Sequence, residues 1–195
     1  MLKACDARPQ RRKKKYLRDL VLFALHTGMR QQEIFSLKWS HVFIKRQYLR
    51  VTDTKNHENR NVPINEVVRE ILKRRKINGI EYVFTNSLGK RLTVLTNAFW
   101  TAVAKTGLVK EEKGKKIRFR FHDCRHTFGS RLGMNGTDLK TIMEIMGHKT
   151  TQMAMRYQHP APDHKLTAVR MLATKAATAT IMNLEIQKEN KRLSN

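Results

Sequence analysis

Arg30 closes a Thr-Gly-Met-Arg run and stands three residues before Glu33; Arg125 stands three residues after His122; His148 follows Gly147; Tyr157 comes nine residues after that histidine. Lys55 lies in a polar stretch between the two arginines. A guanidinium stays charged and grips two oxygens of an oxyanion at once, where an ammonium acts as a point charge. A phenol, with an ordinary pKa of about 10, is a poor nucleophile unless a base or a local positive field helps it. Imidazole can be that base and a lysine can deliver a proton. Together these side chains hold the parts for nucleophilic substitution at an oxyanion such as a phosphodiester.

Each of them also has an ordinary explanation. Arg30 and Glu33 can be a surface i,i+3 pair. Lys55 suits any solvated turn, His122 and Arg125 can cap a helix, His148 can be a C-terminal residue favoured by the helix dipole, and Tyr157 can be a half-buried core residue. His122, Cys124 and His126, with His148 and His159, invite a zinc reading, but no C-x-x-C or H-E-x-x-H pair is present and no metal site is expected.

The elements that must position these residues follow from periodicity and punctuation. From residue 15, Leu17, Leu20, Val21 and Ala24 follow helical spacing, and Gly28 stands where a helix would end. RQQEIFSL reads as a short second helix. Residues 40–64 turn to strand and turn formers, HVFI, YLRV and RNVPI, which predicts a three-stranded antiparallel meander with Lys55 near its second turn. Asn65 is a candidate N-cap for EVVREILKRRK. Thr93 is expected to open a helix closed by Gly107, and EEKGKK at 111–116 reads as a charged loop. A helix starting near His122 follows. Thr137 or Asp138 then caps LKTIMEIM, Gly147 stops it, and Thr150 or Thr151 caps a last short helix expected to carry Tyr157.

Forty Lys and Arg stand against sixteen Asp and Glu in 195 residues, a formal charge of +24, so the folded chain calls for a polyanion, with nucleic acid the foremost candidate. Cys5 and Cys124 form no disulfide framework, and no run approaches the roughly 18 apolar residues of a membrane span. A reduced, intracellular setting is expected, with no membrane partner.

Taken together and in order, TGMR at Arg30, TKN at Lys55, HDCRHT from His122, MGH at His148 and RYQH at Tyr157 resemble the tyrosine recombinase, or phage-type integrase, family. All six signature positions are filled. The resemblance runs from about residue 16 to 159 and is thinnest over 66–115. Cys124 and Met146 occupy places where the family most often has Leu, a small change in apolar volume.

The resemblance implies an α+β, mainly helical catalytic domain with a small three-stranded antiparallel sheet. It implies Tyr157 as nucleophile, forming a 3′-phosphotyrosine without metal or ATP, Arg30 and Arg125 on the phosphate, and Lys55 as proton donor to the 5′-oxygen. His122 would help the phenol, His148 would hydrogen-bond the phosphate, and Glu33 would orient an arginine. No cofactor is expected. The implied partners are double-stranded DNA and further copies of the chain in a tetrameric synapse, in a prokaryotic or phage-encoded, nucleoid-associated cytoplasmic setting. Residues 1–15 are expected to be a basic arm or linker to a helical DNA-clamping domain, 16–162 the catalytic domain, and 163–195 a helix and frayed tail contacting a neighbouring subunit. A catalytically silent DNA-binding domain and a type IB topoisomerase-like activity are the alternatives.

Overall fold

The computed structural model describes residues 15–52, 59–86, 88–95, 97–112, 115–158 and positions 166, 169 and 170. The expectations for the arm up to residue 14, for Lys55 and for the tail helix beyond residue 158 therefore lie outside the described residues, apart from those three tail positions.

Helix α1 (Lys15–Thr27) buries Leu17, Leu20, Val21 and Ala24 on one side, as their spacing requires. The chain turns at Gly28 into α2 (Gln31–Phe35), a short helix with Arg30 at its N-cap. The backbone N–H of Arg30 donates to Glu33 Oε2 at 2.6 Å, so the acidic residue at the third helical position satisfies a group the helix leaves open. Strands β1 (Val42–Phe43), β2 (Tyr48–Thr52) and β3 (Asn59–Pro63) form the expected antiparallel meander, with Leu49 opposite Val62 and Val51 opposite Arg60. Asn65 caps α3 (Glu66–Arg75) by accepting from Val68 N–H at 3.0 Å. Then come α4 (Asn97–Thr106), β4 (Val109–Glu112), β5 (Lys115–Arg118), α5 (His122–Met134), α6 (Leu139–Met146) and α7 (Thr151–Met155).

Three local expectations need correction. Helix α4 begins at Asn97, not near Thr93, because Leu92 is buried in the core and Leu95 packs against it from an irregular segment. Those leucines are not part of the helical stripe. The stretch EEKGKK is not a loop where it is described: Glu111 and Glu112 end β4, Lys115 and Lys116 begin β5, and the two strands pair antiparallel with Glu112 opposite Lys115. Its charge density hid that pairing. Tyr157 lies just beyond α7 instead of within it, its N–H bonding back to Ala154 in a tightened last turn.

The main core gathers Phe23, Phe35, Phe84 and Phe99 with the inward residues of α1, α3 and the sheet, and Phe23 meets Phe84 edge-on at 5.1 Å. A smaller cluster joins Ile142, Met146, Ala154 and Tyr157, with Phe128 and Leu132 packed against it. Helix α5 borders both, placing Cys124 in the first and Phe128 against the second. No helix among the described residues is long and apolar enough to cross a membrane.

Phe23 is fully buried. Phe23→Ala should lower unfolding free energy by about 3–5 kcal/mol in urea denaturation. A loss below about 1 kcal/mol would show that this ring is not in the core.

Candidate active site

Asp138 starts α6 by accepting from Thr141 N–H at 2.9 Å, and Gly147 ends it in the left-handed region at φ 67°, where a side chain would be strained. The N–H of His148 bonds back to Met143 O at 3.0 Å, closing the helix end. The last carbonyls of a helix lack partners within it and carry the negative end of its dipole. Here three successive ones are taken by arginines from three other elements. Arg60 of β3 donates Nε to Ile145 O at 3.0 Å, Arg125 of α5 donates Nη2 to Met146 O, and Arg30 donates Nη2 to Gly147 O at 3.1 Å.

Arg125 is 3 % exposed. Its Nη1 donates to Gly28 O at 2.6 Å, so one guanidinium ties α5 both to the turn before Arg30 and to the end of α6. Burial, and then the neighbouring Arg30 charge, pull its pKa down to about 10, which leaves it protonated at neutral pH.

Arg30 lies at the surface edge of this cluster, its side chain 43 % exposed, with Nη1 on Glu33 Oε1 at 3.0 Å. Glu33 also receives both terminal nitrogens of Arg60, at 2.9 and 2.7 Å. Burial alone would raise the Glu33 carboxyl, but the Arg60 hydrogen bonds and charge, with the backbone and side-chain hydrogen bonds from Arg30, hold it below the ordinary range. It is not merely an exposed i,i+3 partner of Arg30.

The Tyr157 hydroxyl lies 2.9 Å from His126 Nδ1. His122 meets His126 edge-on at 4.8 Å between centroids, and His148 lies parallel to the Tyr157 ring at 5.9 Å and 9°. The ring that touches the hydroxyl is thus His126, while His122, expected to be the helper, stands behind it. The phenol approaches α5 this closely because Gly129 has no side chain: a Cβ there would lie 2.8 Å from Tyr157 Cε1. Burial raises the phenol's pKa against the opposing charges of Arg125 and Arg156. Burial followed by Arg156 lowers His126, and burial followed by His126 and Arg125 lowers His122, so both imidazoles favour the neutral, proton-accepting form.

A cleft of about 640 Å³ opens beside the arginines, lined by Arg30, Arg60, Lys140, Gly147, His148 and Lys149 among others. Glu144 is also in the lining, but the arginines and lysines outnumber it, and the net positive wall fits an oxyanion. Among the described residues no three His, Cys, Asp or Glu side chains gather as a metal-holding group, and Cys124 is buried in the main core. The structure brings together Arg30, Glu33, His122, Arg125, His148 and Tyr157; Lys55 lies outside the described residues. Sequence reasoning missed Arg60 and the contact of His126 with the Tyr157 hydroxyl. The signal for Arg60 was its register, since alternation along β3 puts it on the same side as the buried Val62.

His148 presents a buried Nδ1 with no hydrogen-bond partner among the described residues. Burial first, then the charges of Arg125 and Arg30, bring its pKa down from 6.5 to about 4. Between those values the unfolded chain takes up a proton that the folded chain refuses. The stability tied to neutral His148 is therefore whole above pH 6.5 and is lost as pH falls toward 4. Thermal unfolding midpoints of the free chain should drop from pH 7 to pH 5, and His148→Gln should make that drop shallower. His26, His122 and His126, shifted the same way, would retain part of it. An equally steep drop in the variant would mean that His148 is not a source.

The sequence matches the phage integrase family over residues 1–164. It is 28 % identical over 170 residues to the integrase of Salmonella phage P22, covering 80 % of this chain and 42 % of that protein. The catalytic domain of bacteriophage HP1 integrase superposes with a TM-score of 0.63 at 30 % identity, covering 87 % of each chain. A lambda integrase dimer bound to a COC′ core site superposes at 0.63 and 23 % identity over 80 % of this chain and 44 % of that one, a likeness of fold. This chain thus spans about two fifths of the P22 integrase. With the family match running through the arginines, the histidines and Tyr157, and with the fold shared with an integrase catalytic domain, the chain belongs to the phage integrase family of tyrosine recombinases.

Proposed function

We propose that this chain is the catalytic domain of a site-specific DNA recombinase or integrase, cleaving and rejoining DNA through Tyr157. The observation that carries the reading is a phenol hydroxyl held 2.9 Å from an imidazole, on a ring that lies parallel to His148, which lines the cleft together with Arg30 and Arg60. Arg30 and Arg125 bind the non-bridging oxygens of the scissile phosphate and stabilise the charge that grows there. The Tyr157 oxygen attacks phosphorus, and its bond forms as the bond to the 5′-oxygen breaks. The phenol proton passes to an imidazole. His126 holds the hydroxyl in the free chain, and His122 is the second ring able to take the proton once DNA is bound. Lys55 protonates the departing 5′-oxygen, and His148 hydrogen-bonds the phosphate.

The product is a 3′-phosphotyrosine and a free 5′-hydroxyl, so one phosphodiester has been exchanged for another. A second 5′-hydroxyl can reverse the step without ATP. The arginines supply the electrostatic stabilisation that a divalent cation supplies in other phosphoryl transfers.

Double-stranded DNA is the partner in this reading, with further copies of the chain assembled on it as a tetrameric synapse. The lambda relative, a dimer on its core site, and the net charge of +24 support DNA binding and assembly. Residues 16–162 form the catalytic unit, 1–15 a basic arm and 163–195 a segment reaching a neighbouring subunit. The setting is the cytoplasm of a prokaryotic cell, where the DNA is.

A nicked suicide duplex carrying candidate sites should give a covalent protein–DNA adduct on a denaturing gel, unchanged by EDTA. Tyr157→Phe should give none. Arg30→Lys and Arg125→Lys should slow its formation by on the order of 10² to 10³. As much adduct from Tyr157→Phe as from wild type would reject the nucleophile, and loss in EDTA would point to a metal-dependent nuclease.

A further inference from the structure

Arg60 belongs to no part of the mechanism just described, yet it is more fully engaged than Arg30. Its side chain is 13 % exposed and Glu33's is 12 %. One guanidinium makes three bonds: two parallel ones to the Glu33 carboxylate at 2.9 and 2.7 Å, and one from Nε to Ile145 O at 3.0 Å. Its plane lies so close over Gly147 that a Cβ there would stand 3.0 Å from Nη1. Glu33 in turn holds Arg30 by Nη1 and by the backbone N–H. Arg30 is half-exposed, and besides Glu33 its guanidinium is held through Nη2 to Gly147 O at 3.1 Å, so Glu33 supplies the second anchor that fixes its direction.

We propose that Arg60 is a positioning residue for strand cleavage, fixing Glu33 and through it the Arg30 guanidinium at the mouth of the cleft. It does so by the shape of its fork and not by its charge. The proposal rests on the strand-transfer reading and extends it to a residue that need not touch the phosphate. A lysine at this position keeps the charge but cannot bond both Glu33 oxygens and the Ile145 carbonyl in one plane. A displacement of about 1 Å in a group that orients the reacting centre can cost on the order of 10² in rate.

The test compares wild type, Arg60→Lys, Glu33→Gln and the double variant on the adduct-forming duplex, measuring affinity and single-turnover cleavage separately. Arg60→Lys should bind within about twofold of wild type and cleave about 10- to 100-fold more slowly at saturating DNA. Glu33→Gln should act alike, and the double variant should be no slower than the slower single one, since both break one linkage. A second readout needs no catalysis: phenylglyoxal modification of Arg30 in the free protein, mapped by mass spectrometry, should be several-fold faster in both single variants. Wild-type cleavage by Arg60→Lys, weakened affinity with an unchanged saturated rate, or unchanged Arg30 reactivity would each overturn the proposal. If Arg60→Lys does not fold, Glu33→Gln carries the same comparisons. A wild-type chain that forms no adduct would reject the strand-transfer reading, while the Arg30 reactivity would still decide whether Arg60 sets Arg30.

Discussion

The structure depends on a helix end that cannot satisfy itself. The last carbonyls of α6 are left over by helical geometry, and guanidiniums meet them. Each arginine comes from a different part of the chain: Arg30 from the start of α2, Arg60 from the sheet, Arg125 from the interior of α5. One short helix thereby fixes the relative placement of three elements far apart in sequence. The preference is electrostatic as well as geometric, because the carbonyl end of a helix favours positive charge.

Gathering like charges in this way shapes everything nearby. Glu33 is the carboxylate bonded to both Arg30 and Arg60, and it neutralises only part of the cluster. Burial first, and then these positive charges, lower the pKa of the surrounding imidazoles, His148 most strongly. The phenol is pulled both ways, and burial prevails in the free chain. A phosphate diester entering the cleft brings the negative charge that the cluster lacks. The free site is thus assembled at some electrostatic cost to itself and becomes balanced with substrate in place.

Much of this was legible in the residues, and for physical reasons. The apolar stripes of α1 and α3 announce themselves because they pack on a single core, and Asn65 and Gly147 are read as a cap and a stop from local chemistry alone. Helix α5 is harder to read, since it faces two apolar clusters and spends its remaining side on His122, Arg125 and His126. The start of α4 was misplaced because Leu95 is apolar for a tertiary reason that spacing does not reveal. The site residues were found by their order along the chain, whereas Arg60 and the contact of His126 with Tyr157 depend on which elements meet. Neither follows from periodicity.

A consequence concerns how the chain can change length. Successive carbonyls on a helix point about 100° apart, so one residue inserted or deleted within α6 would re-aim all three acceptors relative to fixed arginines. The interval 138–148 is in effect a gauge, its length set by these partners as well as by the packing of Ile142 and Met146.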